Sequence, residues 1–214
     1  MAFTYTSLKS SIADFLNRDD LTSVIPVWIE LAEADFNRRI RHYEMEGRAS
    51  AEIDTQYSAR PSDWLETIRF QIIDGGTFPI ELASNAQIME MRRNVSNVAG
   101  RPAYYAFVDG QFEVFPTPNQ AYTSELIYYG KIPSLSGSLA TNWLLGAHPD
   151  AYLYASLTHS APYLQEDARL QTWSALAERA VNEIVETSKA AKYNGTGLRL
   201  RHRGLATAST RRFL

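Results

Sequence analysis

The hydrophobic period of the chain changes twice. Near the N-terminus apolar residues recur every three or four positions: Leu8, Ile12, Phe15 and Leu16 share one face of a short helix that Thr6 or Ser7 could cap and that Asn17-Arg18-Asp19-Asp20 breaks. A second helix follows, with Pro26 in its first turn and Ile25, Ile29, Ala32, Phe36, Ile40 and Tyr43 in register, and is expected to stop near Gly47. From Arg48 to about Pro133 the pattern becomes short alternating runs punctuated by Gly, Pro, Asp and Asn, which predicts antiparallel strands over 49–57, 65–73, 78–82, 103–108, 111–115 and 124–131. Asp109-Gly110 fits a two-residue hairpin turn because both residues tolerate positive φ, Gly75-Gly76 reads as a turn, and SNAQIMEMRRN from Ser84 reads as a short capped helix.

After Pro133 the linker SLSGSLAT returns the chain to helical spacing. One helix is predicted over 149–163, aligning Leu153, Leu157, Ala161 and Leu164. Another over 167–193 aligns Leu170, Trp173, Ala177, Val181, Ile184 and Ser188, with Asn194-Gly195 as its stop. Helices, strands, then helices imply an α+β fold: an antiparallel helical bundle from 1–47 and 134–194, an inserted antiparallel β module at 48–133, and an extended C-terminal arm at 195–214. No repeat period points to a solenoid or propeller.

Composition narrows this further. The 214 residues include no cysteine, which excludes disulfides, thiolate metal sites and thiol catalysis and fits a protein made in a reducing cytoplasm. No signal-peptide pattern opens the chain, and no run approaches the ~20 apolar residues of a membrane span, so no membrane partner is expected. The net charge of −3 is uneven: residues 195–214 carry five arginines and no acid, leaving −8 on the rest by subtraction. An acidic body with a basic tail implies that the tail has its own partner.

The segment GAHPDAYLYA looks catalytic, and a hydrolase using His148 and Asp150 is one reading. The simpler one puts Pro149 in a first helical turn and Asp150 beside the positive end of the helix dipole. His148 and His159 lie eleven residues apart, roughly 16 Å along a common helix axis, so they cannot share one ion. There is no Gly-x-Ser-x-Gly, no phosphate loop and no zinc-protease spacing, so no catalytic residue, cofactor or metal is expected.

Tyr104-Tyr105 and Tyr128-Tyr129 put one ring on each face of a strand; the outward rings serve either cross-strand packing or a subunit or tail interface. A receptor-binding tail module could rest on this aromatic region but would leave the helices and the basic tail without a role. Arg38, Arg39 and Arg41 answer the helix dipole or form a nucleic-acid patch, the second being opposed by the acidic body. In the tail, Leu198 and Leu200 alternate with Arg199, Arg201 and Arg203, a pattern suited either to solvent or to adding a strand to another protein.

Five blocks in order carry a resemblance: IPVWIELAEADFNRRIRHYEMEGRA, PSDWLE, GRPAYYAFVDGQFEVFPTPNQAYTSELIYYGKIPSL, TNWLLGAHPDAYLYASLTHSAPYLQEDAR and NGTGLRLR. Across roughly residues 22–203 the chain resembles the head-to-tail adaptor proteins of tailed bacteriophages, the group that includes tail tubular protein A-like adaptors. The resemblance implies a non-enzymatic, typically dodecameric ring at the head-tail junction of the virion. Such a ring binds the portal protein on one side and the tail nozzle or tail tube on the other, and passes DNA without gripping it. It also implies portal contacts at Leu198, Arg199, Leu200, Arg201 and Arg203; Arg211, Arg212, Phe213 and Leu214 lie beyond the matching blocks and are expected to extend the same portal-binding arm.

Overall fold

In a computed structural model, which describes residues 3–95, 99–164 and 169–193, the chain is a mixed α+β fold. Among these residues it forms six α-helices and eight strands in two sheets.

Helix α1 (Tyr5–Leu16) is capped ahead of the expected Thr6 or Ser7. Thr4 is the cap: its hydroxyl accepts from the Ser7 amide at 3.2 Å, and the Ser7 hydroxyl accepts from the Thr4 amide at 2.8 Å. Leu8, Ile12 and Leu16 are buried, while Phe15 is 45% exposed.

Helix α2 (Ile25–Arg39) ends well short of Gly47. Ile40 turns to an extended conformation but stays buried, and the Arg41 guanidinium donates to the carbonyls of Asn37 at 2.9 Å and Ile40 at 2.7 Å. That side chain satisfies carbonyls the helix leaves open, so no C-terminal glycine is needed. Tyr43 falls in a 3₁₀ turn (Tyr43–Met45) and is exposed. Gly47 is small for another reason: a Cβ there would lie 3.0 Å from the ring of Tyr128.

Strands β1 (Glu46–Ile53), β2 (Tyr57–Ala59), β3 (Trp64–Ile72), β4 (Phe78–Pro79) and β5 (Glu81–Leu82) precede helix α3 (Asn85–Asn94). Strands β6 (Tyr104–Val108), β7 (Gln111–Phe115) and β8 (Tyr122–Gly130) follow it. One sheet runs β1-β8-β3-β4, the other β2-β7-β6-β5.

The single strand expected over 49–57 is two strands in different sheets, and so is the one expected over 78–82. Ile80, 4% exposed, lies between the members of the second pair and joins the core between the sheets. Alternation records which side chains point inward; it does not record that the backbone crosses from one sheet to the other. The β6–β7 hairpin is as expected, with Asp109 at φ 46° and Gly110 at φ 74°, and Ser84 caps α3 in a reciprocal box with Gln87. Phe70, Tyr105, Phe112, Val114, Leu126 and Tyr128 are among the side chains of the inter-sheet core.

The returning chain forms α4 (Trp143–Ala147), a helix the periodicity did not reveal, capped by the Asn142 side chain, which accepts from Leu145 N–H at 2.8 Å. Helix α5 (Pro149–Leu164) follows directly. It buries Tyr152, Ala155, Ser156 and Ser160 as well as Leu157 and Ala161, a broader face than expected, while Leu153 and Leu164 are only half-buried. The breadth has a cause: α5 packs against α1, α2 and α6 (Leu170–Tyr193) at once. The expected start of the last helix at Asp167 lies outside the described residues; of its expected core residues, Trp173, Val181, Ile184 and Ser188 are buried, and Leu170 and Ala177 are half-buried.

One apolar cluster joins α1, α2, α4, α5 and α6 and takes in Met45, Ile132 and Leu135 from the segments leading to and from the sheets. Phe36, fully buried and edge-on to Tyr152 at 5.1 Å, sits in it. Phe36→Ala should cost about 3–5 kcal/mol by loss of burial and cavity formation, read as a lower denaturant midpoint at unchanged m-value.

Candidate functional site

The residues with catalytic looks serve structure. His148 is the C-cap of α4, its amide donating to Leu144 O at 2.7 Å, and it is half-buried; Asp150 lies exposed in the first turn of α5. His42, 4% exposed, stacks on Trp143 at 4.8 Å and accepts from the Glu44 amide at Nδ1. Burial, with the nearby His148 adding to it, holds the His42 imidazole below its ordinary pKa, and burial does the same for His159. Among the described residues no group of three or more His, Asp or Glu side chains is placed to hold a metal ion.

A buried carboxyl in the helical core was not singled out from the sequence. Glu33 on α2 is 4% exposed; its Oε1 accepts from Leu135 N–H at 2.8 Å and from the Tyr152 hydroxyl at 3.2 Å. Tyr152 in turn accepts from Asn142 Nδ2 at 2.7 Å, and the same amide donates to Pro133 O at 2.7 Å. Burial pushes the Glu33 carboxyl above the ordinary carboxylate range, against the pull of hydrogen bonds from Leu135, Ser134 and Tyr152. The network faces the connector 133–142 and works as a clasp. Its sequence signal was faint: a glutamate in the apolar register of α2, matched by a tyrosine distant in sequence.

The basic cluster is spent on neighbours. Arg38 and Arg39 each reach Asp35 at 3.2 Å, Arg39 also pairs with Glu178 at 2.5 Å, and Arg41 pairs with Glu66 at 2.9 Å.

The four tyrosines separate. Tyr105 is 4% and Tyr128 7% exposed, both inside the inter-sheet core, and burial removes them from any exposed interface. Tyr104 packs beside Ile88, Ala106 and Phe115, and Tyr129 packs against the helical core with Lys192 over its ring. Leu198, Arg199, Leu200, Arg201, Arg203, Arg211, Arg212, Phe213 and Leu214 lie outside the described residues.

What remains unusual is exposed apolar surface. Helix α2 buries Ile25, Ile29, Ala32 and Phe36 on one face, and on the opposite face exposes Val27 at 49%, Leu31 at 45% and Ala34. A surface helix ordinarily shows water a polar face. The signal was present in IPVWIELAEADF, where apolar residues surround the helix axis. Leu82 on β5 and Met89 on α3 are exposed too, at 61% and 65%. Between the sheets lies an apolar recess of about 230 Å³ lined by Ala49, Ala51, Ala59, Pro61, Phe112 and Leu126 among others, with Arg60 as its one charged lining residue.

Several of the polar groups that look functional are paired within the chain, while apolar side chains on α2, β5 and α3 face outward, the kind of surface that mediates contacts with other proteins. The chain belongs to the SU10 adaptor protein family, whose model matches residues 3–201. It is thus a phage structural adaptor, a virion component that meets other virion proteins. No curated protein shows significant sequence similarity to it. No helix among the described residues is long and apolar enough to cross a membrane.

The clasp gives a pH-dependent expectation. A carboxyl whose folded pKa is raised binds its proton more tightly in the folded state, so its contribution is full below the ordinary value of 4.5 and is lost as pH rises through the folded value. Glu33→Gln keeps an acceptor without the charge, so its stability advantage over wild type should be absent below that value and grow above it. Glu33→Leu leaves Leu135 N–H and the Tyr152 O–H proton without an acceptor and should lose about 1–3 kcal/mol. Chemical denaturation of both variants across pH 4 to 8 measures this.

Proposed function

We propose that this adaptor assembles as a homo-oligomeric ring, dodecameric as in the tail tubular protein A-like group it resembles. The ring would join the portal protein to the tail nozzle or tail tube at the head-tail junction. The observation that carries the reading is the outward apolar face of α2, Val27-Leu31-Ala34, on a helix whose other face already belongs to the core. A closed ring of identical subunits needs two different, complementary surfaces on each copy. The α2 face supplies one, and the exposed Leu82 and Met89 on the β side are the residues assigned to the other. Of the two tyrosine pairs, Tyr104 and Tyr129 are the half-buried members and keep some surface for such contacts.

In this reading the helices of 1–47 and 134–194 act as one bundle, 48–133 as an inserted module, and 195–214 as the arm that meets the portal through its leucines and arginines, out to Arg211, Arg212, Phe213 and Leu214. The acidic body suits a DNA channel, because each phosphate neutralised by a basic side chain would add to binding and slow passage. The arrangement calls for no cofactor and no catalysis.

Leu31→Asp should leave the monomer folded, since Leu31 is 45% exposed, yet abolish ring formation on portal particles. Mass photometry of portal–adaptor mixtures reads this: full occupancy by the variant would remove α2 from the interface. Deleting 195–214 should leave both hydrophobic cores intact and prevent docking, and normal docking would reject the arm's role.

A further inference from the structure

Strand β1 is eight residues long and forms one border of its sheet, paired with β8 on one side and with no described strand on the other. An exposed border of that length is a template for another strand, and proteins usually shorten, charge or cover it. Here the inward-facing residues beside the border are Ala49 and Ala51, which line the recess of about 230 Å³ between the sheets. Small side chains leave that recess unfilled. On the other face Arg48 is held by Glu125 at 2.5 Å, while Glu52 and Asp54 are exposed and make no ion pair among the described residues. The border therefore offers an apolar notch on one side and uncompensated negative charge on the other.

The described chain ends beside it. Lys192, in the last turn of α6, pairs with Glu46, the first residue of β1, and donates to the Tyr129 hydroxyl at 2.5 Å. Tyr43 N–H, just before β1, donates to Ser188 of the same helix at 3.1 Å. Chain that continues past Tyr193 thus starts at the Glu46 end of the border. Residues 194–198 can span at most ~17 Å, and Ala49 is three strand steps, ~10 Å, from Glu46. Asn194, Gly195 and Gly197 supply the freedom to turn.

We propose that, before the arm meets any partner, residues 198–203 of the same chain add to the border as a strand parallel to β1. Leu198 and Leu200 then sit level with Ala49 and Ala51 and close the recess. That register puts Arg201 beside Glu52 and Arg203 beside Asp54. Leucine and arginine alternate in the arm because the two faces of β1 ask for opposite chemistry. The inference concerns the free subunit and stands whatever the arm later binds.

The test uses the full chain. Amide exchange in β1 should be at least tenfold slower in wild type than in Leu198→Asp/Leu200→Asp at the alternate positions that do not pair with β8, while exchange in α2 stays equal. Glu52→Arg should lose part of that protection and Glu52→Arg/Arg201→Glu should regain it. Equal β1 exchange in wild type and the leucine variant overturns the proposal. Because the chain has no cysteine, Ala51→Cys/Leu200→Cys gives a clean cross-link. A cross-linked monomer supports pairing within one chain. Cross-linked dimers, or β1 protection that grows with protein concentration, would show that the border holds a neighbour's arm instead and would overturn the assignment.

Discussion

The fold depends on the closure of the β excursion. The chain leaves the helices at Glu46 and comes back at Tyr129, and these two residues are direct partners across β1 and β8. A long insertion costs little in loop entropy once its ends are tied, and here side chains of α2 help tie them. Asn37 Oδ1 accepts from Ile132 N–H at 2.8 Å, and Glu33 accepts from Leu135 N–H at 2.8 Å. Both amides belong to chain that has just returned from the sheet. The C-terminal part of α6 fastens the other end, through Lys192 to Glu46 and Ser188 to Tyr43.

That closure explains why polar groups that look functional are not free to act. Glu33 is buried because the connector 133–142 crosses it, and Tyr152 and Asn142 complete its hydrogen bonding. His42 is pressed between Trp143 and Tyr43 where the two crossings meet the helices. Arg41 ends α2 and then reaches Glu66 on β3. Each group answers a local deficit of hydrogen bonds or charge, which fits membership of a structural adaptor family. In the proposed reading function falls to surfaces: the outward face of α2, the apolar side chains of β5 and α3, and the open border of β1.

These surfaces make different demands. An apolar helix face favours any apolar neighbour, so its specificity has to come from geometry and from charges at its rim. A strand border favours backbone pairing first and then selects side chains by alternation. A subunit bearing both could hold its own arm on one while the other stays available for neighbours.

Element type was largely readable in the chain, because burying one face imposes a period of two or of 3.6 regardless of what covers it. The Asp109-Gly110 hairpin, the Ser84 cap and the buried face of α6 were legible for that reason. The end of α2 was not, because an arginine reaching back over the last turn does the work expected of Gly47. Nor was the division of 49–57 and 78–82 between two sheets, since a strand that crosses keeps the same alternation. The breadth of the buried face of α5 reflects three helices packed around it. By itself, the sequence determined the elements, the acidic body and the basic, alternating tail, which are local properties of covalent neighbours. Only the tertiary structure decided that Glu33 meets Tyr152, that Tyr105 and Tyr128 are core, and that α6 ends beside the open border of β1, because those are contacts between residues far apart in sequence.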